Sequence, residues 1–239
     1  KGLKWLVQQQ KENGDLRGDG ERITQMYAHG QASIVLCEAY ALTGDEQLRE
    51  PAQMAINFII RAQHHEGGWR YQPGDPGDTS VVGWQLMALK SGQMAYLHVP
   101  RRTFEKAGLF LDRVQVDRVG GRYGYQRGQS ATPAMTAEAL LCRQYLGWPK
   151  DHRGLRSGVN YLLGHLPDAD SPNIYYFINQ VGGMHNFGGK PWEEWNAAMR
   201  EALVKMQEKT GHAAGSWTPL GSGNHGGHAD RDGRVYMTG

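Results

Sequence analysis

The chain has 239 residues, which is enough for a single domain with a sizeable core. Its formal net charge is +2, from 26 Lys and Arg against 24 Asp and Glu, so the composition indicates no basic face for nucleic acid or anionic lipid. No run of about 18 apolar residues occurs, so no transmembrane segment is predicted. Cys37 and Cys142 lie in apolar patterns without a Cys-x-x-Cys pair, which favours buried thiols.

A helical segment that ends in Gln and is followed by a Gly-rich turn recurs along the chain. The aromatic residues Trp5, Phe58, Phe110 and Tyr161 in four of these segments are 53, 52 and 51 residues apart. A fixed period of this size predicts stacked supersecondary units. The predicted segments are 1–8, 55–63, 107–115, 157–163, which lacks the Gln, and 198–207.

A second apolar helix is predicted between successive Gln-ending helices. Asp78, Thr132 and Ser171 stand where three of these helices begin, and such side chains accept hydrogen bonds from free N–H groups of the first turn. The second helices are apolar on most sides, which indicates burial, whereas the Gln-ending helices are amphipathic. Their predicted ranges are 27–42, 80–89, 133–146 and 174–184.

The alternation predicts an all-α fold with buried inner helices and amphipathic outer helices. An (α/α) toroid of about five to six helix pairs, made of two concentric rings, buries every inner helix at once. A simple solenoid of helix pairs is the competing arrangement. We expect residues 1–239 to form a single domain that is a fragment of a longer chain, with further domains outside it.

The Gln and Gly-x-Trp pattern resembles the QW motif of the terpenoid cyclase and protein prenyltransferase superfamily. This superfamily includes squalene and hopene cyclases and the proteins with prenyltransferase and squalene oxidase repeats. The turns 67–69 and 215–217 match the motif well, and Leu16 and Tyr123 replace its Trp in two other units. The resemblance covers nearly the whole chain and implies an inner and outer ring of helices, with the motif as a structural link between them.

Class II cyclases in this family carry an Asp-x-Asp-Asp-Thr motif at the start of an inner helix, whose middle Asp protonates an alkene. The corresponding residues here are 75–79, in which Asp75, Asp78 and Thr79 match and Gly77 stands at the proton-donor position. The resemblance therefore implies Asp75 and Asp78 as candidate catalytic acids. The simpler interpretation of Asp78 is a helix cap.

No cofactor is predicted. The prenyltransferase branch binds zinc through an Asp, a Cys and a His, and the Asp-x-Cys part of that set does not occur here. The chain does contain a segment with ligand types suited to a divalent ion. A Gly-rich loop that caps the last helix is the plainer interpretation of these weak metal candidates, which are His225, His228, Asp230 and Asp232.

In such a ring the inner-helix starts would face one mouth of a central cavity, and aromatic side chains of the inner helices would line its wall. Packing between the two helix layers is the alternative for each of them. The predicted ligand-binding residues are Tyr27, Trp84, Thr79, Tyr175, Tyr176, Asp168 and Asp170.

Two functions remain open from these patterns. The first is a toroid that binds a hydrophobic, isoprenoid small molecule or lipid, with acid-catalysed cyclase-type chemistry. The second is a non-catalytic helical toroid that acts as a protein- or glycan-binding module in a larger protein. The sequence does not indicate a compartment.

Overall fold

The computed structural model describes residues 1–170, 174–217 and 235–236. The described residues form nine helices and one pair of two-residue strands, which confirms the all-α class. The elements are α1 (Gly2–Gln9), α2 (Gln25–Thr43), α3 (Glu46–Ala62), α4 (Thr79–Met94), α5 (Arg101–Val114), α6 (Pro133–Tyr145), α7 (Arg153–Leu163), α8 (Ile174–Phe187), α9 (Gly189–Met206), β1 (Ser216–Trp217) and β2 (Val235–Tyr236).

The even-numbered helices pack against one another in chain order. Helix α2 contacts α4, α4 contacts α6, and α6 contacts α8. The odd-numbered helices from α3 onward pack on this row, with α3 against α2 and α4, α5 against α4, α7 against α6, and α9 against α7 and α8. The helices that the sequence predicts to be inner are therefore the ones that form the continuous row, because their apolar character needs partners on several sides.

Two predicted helix starts are confirmed by their caps. The Asp78 carboxylate accepts a hydrogen bond from the backbone N–H of Val81 at 2.8 Å, and the Thr132 hydroxyl accepts from that of Met135 at 3.2 Å. The predicted end of α4 at residue 89 is wrong, because the helix continues to Met94. Ser171, the third predicted cap, lies outside the described residues.

The glutamines that end the outer helices connect neighbouring parts of the chain. The Gln63 amide donates to the carbonyl of Gly67 in its own turn, at 2.9 Å, and to that of Thr103 in α5, at 3.0 Å. Gln10 likewise donates to its own turn and, at 2.9 Å, to the carbonyl of Pro51 in α3. Each of these two side chains therefore ties one odd-numbered helix to the next, α1 to α3 and α3 to α5.

The tryptophans of the best-matching turns fold back onto the outer helix that precedes them. The Trp69 indole N–H donates to the carbonyl of Ile59 at 2.8 Å, and the Trp217 indole N–H donates to that of Leu203 at 2.9 Å. Both rings are buried. Each of these two turns is therefore held against the helix before it by one buried, hydrogen-bonded tryptophan.

Cys37 and Cys142 are buried free thiols, as predicted. Burial raises the pKa of Cys37 to about 12, so its thiol stays protonated. Among the described residues, no helix combines the length and the apolar character that crossing a bilayer requires.

Candidate functional site

Asp78 is a fully buried carboxylate at the start of α4, the second of the four helices in the row. Its Oδ1 atom accepts the capping hydrogen bond from Val81. Its Oδ2 atom has no hydrogen-bond partner in the described part of the chain, and the nearest cation is the Nε atom of Arg70 at 3.6 Å. One oxygen of this carboxylate therefore caps α4, while the other oxygen faces the Arg70 guanidinium.

The environment of Asp78 favours the protonated acid more than water does. Burial raises the pKa of Asp78 to about 6, while the N–H of Val81, the Tyr125 hydroxyl, the Arg70 guanidinium and the N–H of Ser80 act against that rise. A carboxyl with a pKa near 6 is a general acid at mildly acidic and near-neutral pH.

Polar aromatic side chains surround the start of α4. The hydroxyls of Tyr71 and Tyr125 lie 2.7 Å apart, and the Arg70 guanidinium lies over both rings, 4.9 and 5.9 Å from their centroids. The Tyr27 hydroxyl donates to Ser80 Oγ at 2.9 Å, which brings α2 to the same place. Tyr27 and Asp78, two of the predicted site residues, therefore lie in one cluster at the start of α4. The cluster also contains Arg70, Tyr71 and Tyr125, which were not predicted from the sequence.

Thr79 joins the start of α4 to the turn that carries Tyr125. Its hydroxyl donates to the carbonyl of Gly124 at 2.6 Å, and its backbone N–H donates to the carbonyl of Tyr125 at 2.9 Å. The side chain is buried and engaged with backbone. In this arrangement Thr79 fixes the position of the cluster.

Asp75 lies apart from the interior, half-buried in the turn before α4. Its Oδ2 atom accepts from the backbone N–H of Gln72 at 3.2 Å, and no ion pair or hydrogen bond joins it to Asp78 in the described residues. Of the two predicted acids, Asp78 is therefore the one that is buried and has a raised pKa.

Gly77, which stands at the donor position of the cyclase motif, is closed to any side chain. A Cβ atom at this position would lie 2.6 Å from the Cα of Gly68 and 2.7 Å from the ring of Phe110. Real Cβ atoms do not approach carbon so closely, so the two glycines are in direct backbone contact. An acid at residue 77 is incompatible with this packing.

Glu138 is a second buried acid that was not predicted from the sequence. It lies on α6, its exposed fraction is 0%, and neither carboxyl oxygen has a hydrogen-bond partner in the described structure. Burial and, to a lesser extent, the charge of Asp78 raise the pKa of Glu138 to about 8. The sequence feature that could have revealed Glu138 is a single acidic residue in the otherwise apolar run 137–141, within a helix predicted to be buried.

The other predicted ligand-binding aromatics lie on α4 and α8, two helices of the even-numbered row. Trp84 is half-buried on α4, and Tyr176 is buried on α8 with its hydroxyl donating to the carbonyl of His165 at 2.6 Å. The side chain of Tyr175 is outside the described part of the structure.

Asp168 and Asp170 are exposed and form local contacts. The Asp168 carboxylate accepts from the backbone N–H of Asp170 at 2.9 Å, and Asp170 pairs with Lys205 of α9 at 2.7 Å. This exposed pair is expected to contribute little to stability because both ions stay hydrated.

The weak metal candidates His225, His228, Asp230 and Asp232 lie outside the described residues. Within the described ranges, no three or more His, Cys, Asp or Glu side chains gather closely enough to hold a metal ion.

Comparison of the chain with protein-family models and with curated proteins finds no match of either kind.

Proposed function

We propose that this chain is a toroid of the squalene cyclase and prenyltransferase type that binds a hydrophobic, isoprenoid ligand among its inner helices, with Asp78 as the acid. The observation that carries the proposal is the Asp78 carboxyl, which is buried, uses one oxygen in the helix cap and has its pKa raised to about 6. An acid that acts on an apolar substrate needs this combination of burial and retained proton.

The packing supports the same proposal. Inner helices that contact one another in chain order, with outer helices tied by Gln63 and Gln10, are the arrangement expected of an inner and an outer ring. Tyr27, Tyr71 and Tyr125 add aromatic faces beside Asp78, and such faces suit an apolar or cationic species.

The test is binding and turnover of squalene, farnesol and geranylgeraniol by the purified chain. Binding is followed by quenching of tryptophan fluorescence, and products are identified by gas chromatography with mass spectrometry. We expect D78N to lower turnover by about 100-fold or more, since general acids contribute about 10²–10⁴-fold. Unchanged turnover in D78N would rule out Asp78 as the acid, and no binding of any of the three would rule out the proposal.

Asp45→Asn is the matched control for this experiment. Asp45 caps α3 as Asp78 caps α4, accepting from the backbone N–H of Gln47 at 3.0 Å, but it is exposed on an outer helix. D45N removes the same charge from the same structural position without touching the inner helices. We expect D45N to keep wild-type turnover.

Surface features favour the second candidate, a protein- or glycan-binding module. Met94 and Tyr96 are largely exposed, and Leu109 lies in a surface groove of about 550 Å³ with Phe104 and Trp148. Aromatic and apolar groups of this kind are common in recognition sites. If this function is the true one, an oligosaccharide array gives signals that L109S removes and D78N leaves intact.

A further inference from the structure

The surface groove of about 550 Å³ lies between α5 and the segment that follows α6. Phe104 and Leu109 line it on the α5 side, and Leu146 and Trp148 line it on the α6 side. Leu109 is 55% exposed, although its side chain is apolar. The groove therefore offers open space bordered by apolar side chains, which is a common setting for a binding site.

The groove is open because α5 has a glycine where α3 has an isoleucine. Phe58 of α3 and Phe110 of α5 hold equivalent places in the repeat, so Gly108 corresponds to Ile56. The Ile56 side chain is fully buried. A Cβ atom at Gly108 would meet only Leu146, at 3.7 Å. The same position is therefore filled in one unit of the repeat and open in the next.

An exposed tyrosine with a strained backbone stands at one end of the groove. Tyr96 is 97% exposed and has a φ of +58°, and its N–H donates to the carbonyl of Gln93, which lines the groove. The equivalent residue after α6 is Gly147, with a φ of +98°. Glycine adopts this backbone without cost, whereas a tyrosine is strained in it, and here its ring gains almost no burial in return. Burial of the ring by a partner is a reason for the chain to keep it.

The charge of the chain is unevenly distributed, and the part that forms the groove is basic. Residues 101–156 contain 11 Lys and Arg against 5 Asp and Glu, whereas the rest of the chain contains 15 against 19. The near-neutral total therefore does not describe this part of the surface. A positive region of this kind attracts a negatively charged partner.

Four exposed arginines lie next to the Trp148 end of the groove. The turn 115–124 packs on α7 and on this tryptophan, since a Cβ atom at Gly154 would lie 2.8 Å from the carbonyl oxygen of Val119 and 2.8 Å from the Trp148 ring. Of the four arginines, only Arg122 has an ion pair within the described residues, with Asp117 at 3.0 Å. The basic cluster, which lies on this turn and on α7, consists of Arg118, Arg122, Arg153 and Arg156.

The lining of the groove favours a polypeptide over a nucleic acid or a glycan. The His152 ring stacks on Trp148 with centroids 3.7 Å apart, and the Arg143 guanidinium lies over the same ring at 4.7 Å. Bases and sugars bind to aromatic rings whose faces are open, and this ring is already covered by side chains of the protein itself. Leu109 and Leu146 instead suit the aliphatic side chains of a polypeptide.

We propose that the groove, Tyr96 and the basic cluster form one docking surface for a polypeptide segment that carries apolar side chains followed by carboxylates. The apolar side chains occupy the groove beside Leu109 and cover Tyr96, and the carboxylates pair with the basic cluster. This surface does not depend on the acid at Asp78, and it narrows the second candidate function to a protein partner.

Selection of a phage-displayed random peptide library on the purified chain tests the proposal. We expect the selected peptides to combine apolar residues with Asp or Glu, and their binding, measured by fluorescence anisotropy, to weaken as the salt concentration rises. A selection that yields no peptide or only basic peptides would overturn the proposal. Tighter binding of single-stranded DNA or heparin than of the best selected peptide would overturn it as well.

Two variants with matched controls locate the binding. G108I fills the groove with the residue that α3 has, while G108A leaves it open. R153E with R156E reverses the charge of the basic cluster, while K190E with R200E makes the same change at exposed positions of α9. We expect G108I and the double variant of α7 to weaken the best selected peptide by about tenfold or more, and both controls to bind as the wild type does.

Y96G separates a loss of binding from a loss of folding. It places glycine at the left-handed φ, so we expect an unchanged or higher Tm together with an affinity about fivefold lower or less. Wild-type affinity in Y96G, in G108I or in R153E with R156E would overturn the proposed surface. D78N is expected to bind the peptide normally, so loss of isoprenoid turnover and loss of peptide binding report on separate proposals.

Discussion

The imidazole of His29 is buried in α2 and bonded at both ring nitrogens. Its Nδ1 accepts from the backbone N–H of Leu16 at 3.0 Å, and its Nε2 lies 3.1 Å from the carbonyl oxygen of Ala55. These two contacts require the neutral ring with its proton on Nε2. Burial, opposed mainly by the hydrogen bond to Ala55, lowers the pKa of His29 to about 4. His29 thus connects three parts of the chain, which are the turn after α1 that contains Leu16, its own helix α2, and helix α3, which contains Ala55.

We expect this histidine to make the fold sensitive to acid. A folded pKa of about 4 against 6.5 in the unfolded chain means that the unfolded state binds the extra proton, so stability falls as the pH drops from about 6.5 to 4. The loss reaches about 3 kcal/mol, at about 1.4 kcal/mol per pH unit. Urea unfolding at pH 7 and pH 4.5 measures it, and H29Q is expected to be less stable at pH 7 but to lose less on acidification. Equal losses in both proteins would contradict the assignment.

Gly77 is a second position at which one substitution is expected to change the unfolding free energy. Gly77→Asp restores the donor position of the cyclase motif in the sequence, but its Cβ meets the Cα of Gly68 and the ring of Phe110 at under 3 Å. Overpacking of this kind costs about 1–3 kcal/mol. We expect G77D to lower the unfolding free energy without creating acid activity. Gly2→Ala, where a Cβ meets nothing within 4 Å, is the control. A G77D protein as stable as the wild type would show that the glycine contact is not required.

Helices α4 and α6 pack against each other through Gly83 of α4 and Glu138 of α6. Gly→Ala in a helix interior normally stabilises by about 1 kcal/mol. At Gly83 the new methyl group would overlap Glu138, so we expect G83A to destabilise by about 1–3 kcal/mol. The matched change is Gly108→Ala in α5, where the Cβ would meet only Leu146 at 3.7 Å, and it is expected to stabilise.

Chemical denaturation of the two alanine variants checks this contrast. The double variant G83A with E138A should recover much of the loss, because the overlap disappears with the carboxyl group. If G83A and G108A change the free energy of unfolding in the same direction, the close contact between α4 and α6 is wrong.

At the scale of the whole molecule, the order of the outer helices depends on hydrogen bonds from glutamine. Gln63→Ala removes one local bond and one bond to Thr103 in the next outer helix, and we expect a loss of about 2 kcal/mol. Gln115→Ala removes only a bond to the carbonyl of Asp117 in its own turn, and a loss of about 1 kcal/mol is expected. Equal losses from the two changes, measured by urea denaturation, would count against a link between units.

Local sequence patterns were sufficient to predict the helical class, the alternation of buried and amphipathic helices and the caps Asp78 and Thr132. These features depend on local periodicity and on side chains that bond to nearby backbone, so neighbouring residues are sufficient to predict them. Asp78 became a candidate acid through the resemblance of residues 75–79 to the cyclase motif, whereas its place at a predicted helix start predicted the cap.

The side chains that share the interior with Asp78 could not be predicted from the sequence, because they are brought there by long-range packing. Tyr125 and Glu138 reach its surroundings from distant parts of the chain, and the contact of Gly68 with Gly77 closes the expected donor position. The physical reason is that burial and charge coupling depend on how helices far apart in sequence pack. An acid in an apolar run has the same local sequence whether its carboxyl meets water or a glycine on the next helix.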